Sequence, residues 1–143
     1  MPSCKGVGWS FREVPTMQMA TPLAEGLNEY LDLSSLQLKV TAQNMANIDT
    51  PGYRTVGFDF ATEMARSLDS LNQRASGGDG AGALPAARIA PVGGLLERPD
   101  GNNVSMDREG MRMAEAQLQF RTGVELLKHE FTRVLDAIHE DQR

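Results

Sequence analysis

Apolar residues recur every seven positions along the last third of the chain. The main row is Met106, Met113, Phe120, Leu127 and Val134, and Val124, Phe131 and Ile138 form a second row at steps of three and four. This spacing is typical of a helix that packs against another helix in the manner of a coiled coil. It predicts an amphipathic helix from about Ser105 to Glu140, which would be ~50 Å long at 1.5 Å per residue.

A second amphipathic helix is predicted near the N-terminus. Thr21 followed by Pro22 is typical of a helix N-cap and first helical position. Apolar residues then recur at steps of four and seven, at Leu27, Leu31, Leu38 and Met45. We expect the helix to stop at Asn47, because Thr50-Pro51-Gly52-Tyr53 places proline and glycine where a type II turn requires them.

The pattern is weaker between these two helices. Val56, Phe58 and Phe60 alternate with polar or small residues, which predicts a short strand with one buried face. Residues 61–73 carry a weak helical spacing through Met64, Leu68 and Leu71. In residues 75–94, 15 of 20 positions are Gly, Ala, Pro or Ser, which is typical of a mobile linker.

These patterns divide the chain into five segments of one mainly α-helical unit. The segments are a flexible N-terminal extension (1–20), an N-terminal helix (21–48), a turn with an extended segment (49–60), a flexible middle region (61–103) and a C-terminal helix (104–143). The simplest arrangement pairs the two long helices as an antiparallel coiled coil. Further apolar surface would then be left for neighbouring molecules.

Composition and charge exclude several classes of function. The net charge of −5 is spread evenly along the chain, so no basic surface for nucleic acid is expected. No segment approaches the ~18 consecutive apolar residues of a membrane span. Residues 1–20 also lack the apolar run of a secretory signal, so any export is expected to follow a route without a cleavable signal peptide.

Polar and charged residues suggest how the last helix begins and which side of it is exposed. Asn103 or Ser105 could cap its start. Glu125 with Lys128, and Glu130 with Arg133, are pairs three residues apart that we expect on its exposed side.

No residue pattern predicts catalysis, a metal or a cofactor. His129 and His139 are ten residues apart, which does not place them on one helix face as a pair of metal ligands, and we interpret both as solvated. The glycines of 77–82 lack the closing residues of a phosphate loop. Asp100, Asn102 and Asp107 resemble part of a calcium loop, but Val104 offers no side-chain oxygen there. We therefore predict no enzyme activity and no small-molecule substrate.

The segment from Gln43 to Arg54, QNMANIDTPGYR, is more specific than any of these patterns. It resembles the signature of the flagellar basal-body rod protein family, in which a helix ends in Asn-x-Ala-Asn and is followed by Thr-Pro-Gly-Tyr. The segment DGNNVSMDRE, residues 100–109, resembles the entry to the last helix in the short, proximal members of that family. The resemblance covers about residues 22–60 and 100–140.

The resemblance implies a structural subunit of the proximal rod. It implies export by the flagellar type III apparatus, terminal helices that are mobile in the monomer and pair on assembly, and a periplasmic position in the basal body. The implied partners are copies of this chain, other rod proteins and the membrane-ring adaptor at the base of the rod. The residues expected to fix the assembly motif are Asn44, Ala46, Asn47, Thr50, Pro51, Gly52 and Tyr53, and those expected to pack between helices are Leu31, Leu38, Met45, Met113, Phe120, Val124, Leu127, Phe131, Val134 and Ile138.

Two other functions fit parts of the sequence. A helical adaptor or export chaperone would also have two amphipathic helices, but it would not need the Thr-Pro-Gly-Tyr turn. A hydrolase that uses His129 or His139 is a weaker alternative, because no partner residue for either histidine is evident.

Overall fold

The computed structural model describes residues 21–76 and 85–140, so the predicted N-terminal extension lies outside the described residues. In chain order the elements are α1 (Pro22–Ala46), β1 (Val56–Gly57), α2 (Phe60–Ala75), β2 (Ala90–Pro91) and α3 (Met106–Glu140). The described part is mainly helical, as the sequence predicts. None of its helices is both long and apolar enough to cross a membrane.

Both ends of α1 follow the signals in the sequence. The Thr21 side chain accepts a hydrogen bond from the backbone N–H of Ala24 at 3.1 Å, and Pro22 is the first helical residue. The helix ends with Asn47 as its C-cap. Gly52 has φ of +72°, and the backbone N–H of the residue after it donates to the Thr50 carbonyl at 3.2 Å, as in the predicted turn.

The extended segment after this turn is shorter than predicted. Within the described residues, its strand β1 consists of Val56 and Gly57 alone. β1 pairs with β2 in an antiparallel register that places Val56 opposite Pro91. Phe60, which the alternating pattern assigned to the strand, is instead the first residue of α2. The reason is Asp59, whose Oδ1 accepts from the backbone N–H groups of Ala61 and Thr62 at 3.0 and 3.4 Å. The Thr62 hydroxyl, which donates to Asp59 Oδ2 at 2.9 Å, and these two backbone bonds hold the pKa of Asp59 below its ordinary value.

The region between the long helices contains regular structure. α2 occupies its first part, where the sequence showed a weak helical spacing, and it packs on α1. The Tyr30 and Phe60 rings meet edge to face with centroids 5.3 Å apart, and the Ser67 hydroxyl donates to Glu29 at 2.9 Å. Part of the predicted linker, residues 77–84, lies outside the described residues, and the part from 85 onward contains β2.

α1 and α3 run antiparallel along most of the length of α1. Thr21 at the start of α1 donates to Glu130 at 3.0 Å, and Asn44 near its end donates to Glu109 at 2.9 Å. α3 therefore continues for ten residues, 131–140, beyond its contact with the start of α1. The buried apolar side chains of the described part are few and mostly small: Ala24, Leu33, Val40, Val104 and Ala116.

The most buried row of α3 differs from the predicted apolar rows. It consists of Glu109, Ala116, Gly123 and Glu130, which also repeat every seven residues. Of the residues predicted to pack between helices, Leu31, Leu38, Met45, Met113, Val124 and Leu127 are half-buried, and Phe120, Phe131, Val134 and Ile138 are exposed. The expectation that Glu130 lies on the exposed side was wrong, because it accepts the Thr21 hydrogen bond and is only 8% exposed. Glu125 does lie on the exposed side, paired with Lys128.

Candidate functional site

Asn44 is a fully buried amide near the end of α1. Its Nδ2 donates to the Val56 carbonyl at 2.8 Å and to Glu109 Oε2 at 2.9 Å. Its Oδ1 accepts from the Val56 backbone N–H and from the Tyr53 hydroxyl, both at 3.1 Å. Asn44 thus holds both backbone polar groups of Val56, as a neighbouring strand would, and joins α1 to α3.

Glu109 brings a carboxylate into this cluster. It is fully buried in the first turn of α3, where the positive end of the helix dipole favours a negative charge. Arg112, one turn further on, lies 3.4 Å from its second oxygen. Burial raises the pKa of Tyr53, and the charge of Glu109 raises it further. Both effects favour the protonated phenol, which donates to Asn44 at 3.1 Å.

Asn102 binds the backbone beyond the end of α1. Its Nδ2 lies within hydrogen-bond distance of the carbonyl oxygens of Asn47, Ile48 and Thr50, at 3.0, 3.0 and 2.8 Å. Its Oδ1 accepts from the Val104 backbone N–H at 2.7 Å. Asn47 is the C-cap of α1, and Ile48 and Thr50 follow it, so one buried amide binds the backbone where the chain leaves the helix. The end of α1 is therefore held by a side chain that is distant in sequence.

Asn103 binds Thr55 and does not cap α3. Its Oδ1 accepts from the Thr55 backbone N–H at 2.7 Å, and its carbonyl oxygen accepts from the Thr55 hydroxyl at 3.3 Å. Asn44, Asn102 and Asn103 bind the backbone that runs from the end of α1 to β1, and Glu109 binds Asn44. We call these four side chains the polar latch.

Two glycines allow the two segments of the latch to approach each other. Gly52 and Gly101 have φ of +72° and +80°, a region that side chains disfavour. The Gly52 backbone N–H donates to the Asp100 carbonyl at 2.8 Å. A Cβ atom on Gly101 would lie 3.4 Å from the Gly52 Cα, so the two turns are in direct backbone contact.

The predicted assembly motif is divided between the interior and the surface. Asn44 is buried, and Asn47 and Tyr53 are half-buried; Ala46, Thr50, Pro51 and Gly52 are exposed. Asn47 bonds locally, because its Nδ2 donates to the Gln43 carbonyl at 2.8 Å and its Oδ1 accepts from Thr50 at 3.2 Å. The motif therefore contributes one buried side chain to the latch and presents a fixed turn at the surface.

Comparisons with known proteins bear on the family of this chain. A family model described as "Flagella basal body rod protein" matches residues 31–54, which include most of α1 and the turn. The flagellar basal body rod protein FlgB of Escherichia coli K12 is 31% identical over 121 residues, which cover 77% of this chain and 88% of the relative. FlgB of Borrelia hermsii is 31% identical over 131 residues, covering 82% and 93%, and FlgB of Cereibacter sphaeroides is 32% identical over 115 residues, covering 76% and 87%.

The chain belongs to the FlgB family of flagellar basal body rod proteins. The resemblance seen in the motif is therefore confirmed over most of the chain. FlgB relatives are named as rod proteins and not as enzymes, which confirms the prediction of a non-enzymatic role.

The two histidines of this FlgB-family chain lie outside the polar latch. His129 and His139 are exposed on α3, and His139 Nδ1 lies 2.9 Å from the Leu135 carbonyl of the preceding turn. In the described ranges 21–76 and 85–140, no group of three or more His, Cys, Asp or Glu residues could hold a metal ion.

The sequence analysis missed three members of this site. Asn102 was considered as part of a calcium loop, and neither Thr55 nor Glu109 was assigned a role. Glu109 did carry a detectable signal, because it begins the seven-residue series that continues with Ala116, Gly123 and Glu130. The role of Asn102 had no such signal, since its partners are carbonyl groups more than fifty positions earlier.

Proposed function

We propose that this chain is a structural subunit of the proximal flagellar rod that assembles through its helix surfaces and carries load between the membrane ring and the distal rod. Family membership supports the rod role. The observation that carries the proposed mechanism is the continuation of the apolar rows of α3 beyond the start of α1.

The residues of this continuation form an apolar surface. Phe131, Val134, Leu135 and Ile138 are 57, 36, 54 and 49% exposed. Three of them continue the predicted apolar rows, of which Met113, Val124 and Leu127 are half-buried. Contiguous apolar surface of this kind favours association, because its burial removes it from water. We infer that helices of neighbouring rod subunits cover it in the assembled tube.

The polar latch supports this role by fixing geometry. It joins the end of α1, β1 and the start of α3 through bonds that leave Asn44 and Asn102 with both donors and acceptors satisfied. Load applied to one helix is therefore transferred to the other at a fixed position. We propose that the pair supercoils as an antiparallel coiled coil when it packs in the rod.

The remaining parts of the proposal concern delivery and partners. A core of few and mostly small apolar side chains gives little stability to the isolated chain, which suits transport in an unfolded form through the type III export apparatus. We propose the periplasmic part of the basal body as its location. The proposed partners are further copies of the chain, other rod proteins and the membrane-ring adaptor.

The proposal is tested by Phe131→Asp in a strain that lacks the native gene. A carboxylate on the open apolar surface should prevent packing, so the variant should fail to restore swimming and basal bodies with a rod. Thr132→Asp is the matched control, because Thr132 is exposed and its hydroxyl bonds only to the preceding turn of its own helix. The control should swim normally.

Swimming by the Phe131→Asp strain would contradict the proposed mechanism. So would a purified chain that forms a small closed oligomer and ignores the other rod proteins, which would favour the helical adaptor or chaperone.

A further inference from the structure

The apolar rows of α3 do not by themselves determine where α1 lies along it. These rows repeat every seven residues, so a shift of α1 by seven residues presents it with the same kind of surface. α1 now spans the stretch of α3 from Glu109 to Glu130. Because α3 continues to Glu140, the stretch 116–137 is also available. The helix pair therefore has two registers that are compatible with its apolar pattern.

Burial of apolar surface favours the register that is not observed. A shift towards the end of α3 would bring α1 over Phe131 and Val134, which are exposed in the observed register. Removal of such side chains from water is favourable by roughly 25 cal/mol per Å². Some other interaction must therefore select the observed register.

The first such interaction is at the start of α1. The Thr21 hydroxyl donates to Glu130 Oε1 at 3.0 Å while it accepts the capping bond from the Ala24 backbone. Glu130 also pairs with Arg133 at 3.0 Å. In the shifted register Thr21 would face Ala137, which has no side-chain acceptor.

A similar contact lies at the other end of α1. Asn44 donates to Glu109 at 2.9 Å inside the latch. In the shifted register Asn44 would face Ala116, and the buried amide would lose this acceptor. An unsatisfied buried polar group is costly, so this contact opposes the shift.

The third interaction is steric and lies between these two. A Cβ atom on Gly123 would lie 2.8 Å from Leu31 Cδ2 and 3.0 Å from Tyr30 Cδ1, so α1 approaches α3 at a point where only glycine fits without movement. In the shifted register Glu130 would take this position. Its side chain would have to displace Tyr30 and Leu31.

We propose that Glu109, Gly123 and Glu130 select the register of α1 on α3 against an alternative seven residues away, and thereby keep the last apolar rows of α3 uncovered by α1. The selection is independent of which partner later binds those rows. The polar latch is compatible with the same register, because Asn102 precedes α3 and binds the end of α1.

The test moves the glycine by one heptad and removes the two glutamates. The variant Glu109→Ala, Gly123→Ala, Glu130→Gly places glycine where the shifted register needs it and removes both acceptors. It loses one helical glycine and gains another, so intrinsic helix propensity changes little. Spin labels are attached to cysteines at Lys39 and Thr132, both exposed, with Cys4→Ser in every chain. The distance between labels is measured by pulsed electron resonance in the full-length protein, at a concentration where circular dichroism shows the helix content of the fold described above.

We expect the label distance to shorten by about 10 Å in the shifted variant, which is seven residues at 1.5 Å each. The parent chain should give one narrow distance. Glu125→Ala is the control, because Glu125 pairs only with Lys128 on the exposed side, and it should leave the distance unchanged.

Several outcomes would overturn the proposal. One is an unchanged distance in a variant that keeps its helix content by circular dichroism. Loss of helix in the variant would show that no second register is accessible, and a broad distribution in the parent would show that no register is selected. A shift that appears only when Asn102→Ala is added would assign the selection to Asn102 instead.

Discussion

Asn44 and Asn47 belong to the same short motif, but their surroundings give them different roles. Asn44 is fully buried and its amide has partners on α1's neighbours β1 and α3. The Asn47 side chain is only half-buried and bonds to its near neighbours Gln43 and Thr50. A buried amide must find partners for both its donor and acceptor atoms, whereas an exposed one can bond to water. The two positions should therefore respond differently to the same substitution.

We predict that Asn44→Asp lowers the free energy of unfolding by about 3 kcal/mol, since it removes a buried donor and places a second carboxylate beside Glu109. Asn47→Asp is the matched control and should cost less than about 1 kcal/mol. Urea unfolding of the folded chain or its assembly measures both. Equal effects at the two positions would show that the buried network contributes nothing.

At Gly52 the structural requirement concerns the backbone conformation alone. Its φ is +72°, and no atom lies within 4 Å of a Cβ built there. Gly52→Val should therefore act only through backbone strain, with a cost of at least 1–2 kcal/mol, and it should block assembly. Gly52→Asn should restore most of the function, because asparagine tolerates positive φ better than other residues. Swimming assays check this pair, and equal loss in both variants would point to a contact of the turn with a partner.

At the scale of elements, the contact between α1 and α3 depends on small residues. Gly123 and Ala116 are buried where the helices approach, whereas Gly110 lies on α3 with no atom within 4 Å of a Cβ position. Glycine inside a helix costs roughly 0.5–1 kcal/mol relative to alanine. The two glycines thus have the same local cost and different tertiary surroundings.

Alanine substitution separates these effects. Gly110→Ala should raise the free energy of unfolding by about 0.5–1 kcal/mol through helix propensity. Gly123→Ala should give no gain or a loss, because the new methyl group would press on Leu31 and Tyr30. Thermal unfolding followed by circular dichroism compares the two. A similar gain at Gly123 would mean that the helices are not in close contact there.

At the scale of the whole molecule, apolar surface is distributed unevenly. The buried apolar side chains of the described part are few, and large apolar side chains such as Met111, Leu118 and Phe131 are 75, 67 and 57% exposed. A chain with this balance gains little from folding alone and more from packing against neighbours. Its order should therefore depend on its partners.

We predict that the purified chain at low concentration has less helix than the fold described above, and that helix content rises when the neighbouring rod and adaptor proteins are added. Circular dichroism of the mixture, compared with the sum of the separate spectra, measures the change. The same mixture made with the Phe131→Asp chain should show a smaller rise. A strongly helical chain that does not respond to these partners would contradict folding on assembly.

Local sequence signals were reliable where a residue acts on its own neighbours. Thr21 and Pro22 start α1, Asn47 ends it, and Gly52 provides the positive φ of the turn. The length of α3 was also predicted, because its apolar spacing continues without a break. Phe60 was placed in a strand because it continues the alternating pattern of Val56 and Phe58. The same residues are compatible with a helix start, and only the hydrogen bonds to Asp59 show that α2 begins there.

The sequence by itself determined the mainly helical composition, the limits of the two long helices and the family to which the chain belongs. These properties depend on spacing, caps and motifs whose residues lie close together in the sequence. The tertiary structure decided that Glu109 and Glu130 are buried, that Asn102 holds the end of α1, and that the last apolar rows of α3 stay open. Such features depend on which distant groups meet, and a repeat of seven residues leaves that choice undetermined until the polar and steric contacts between the helices are known.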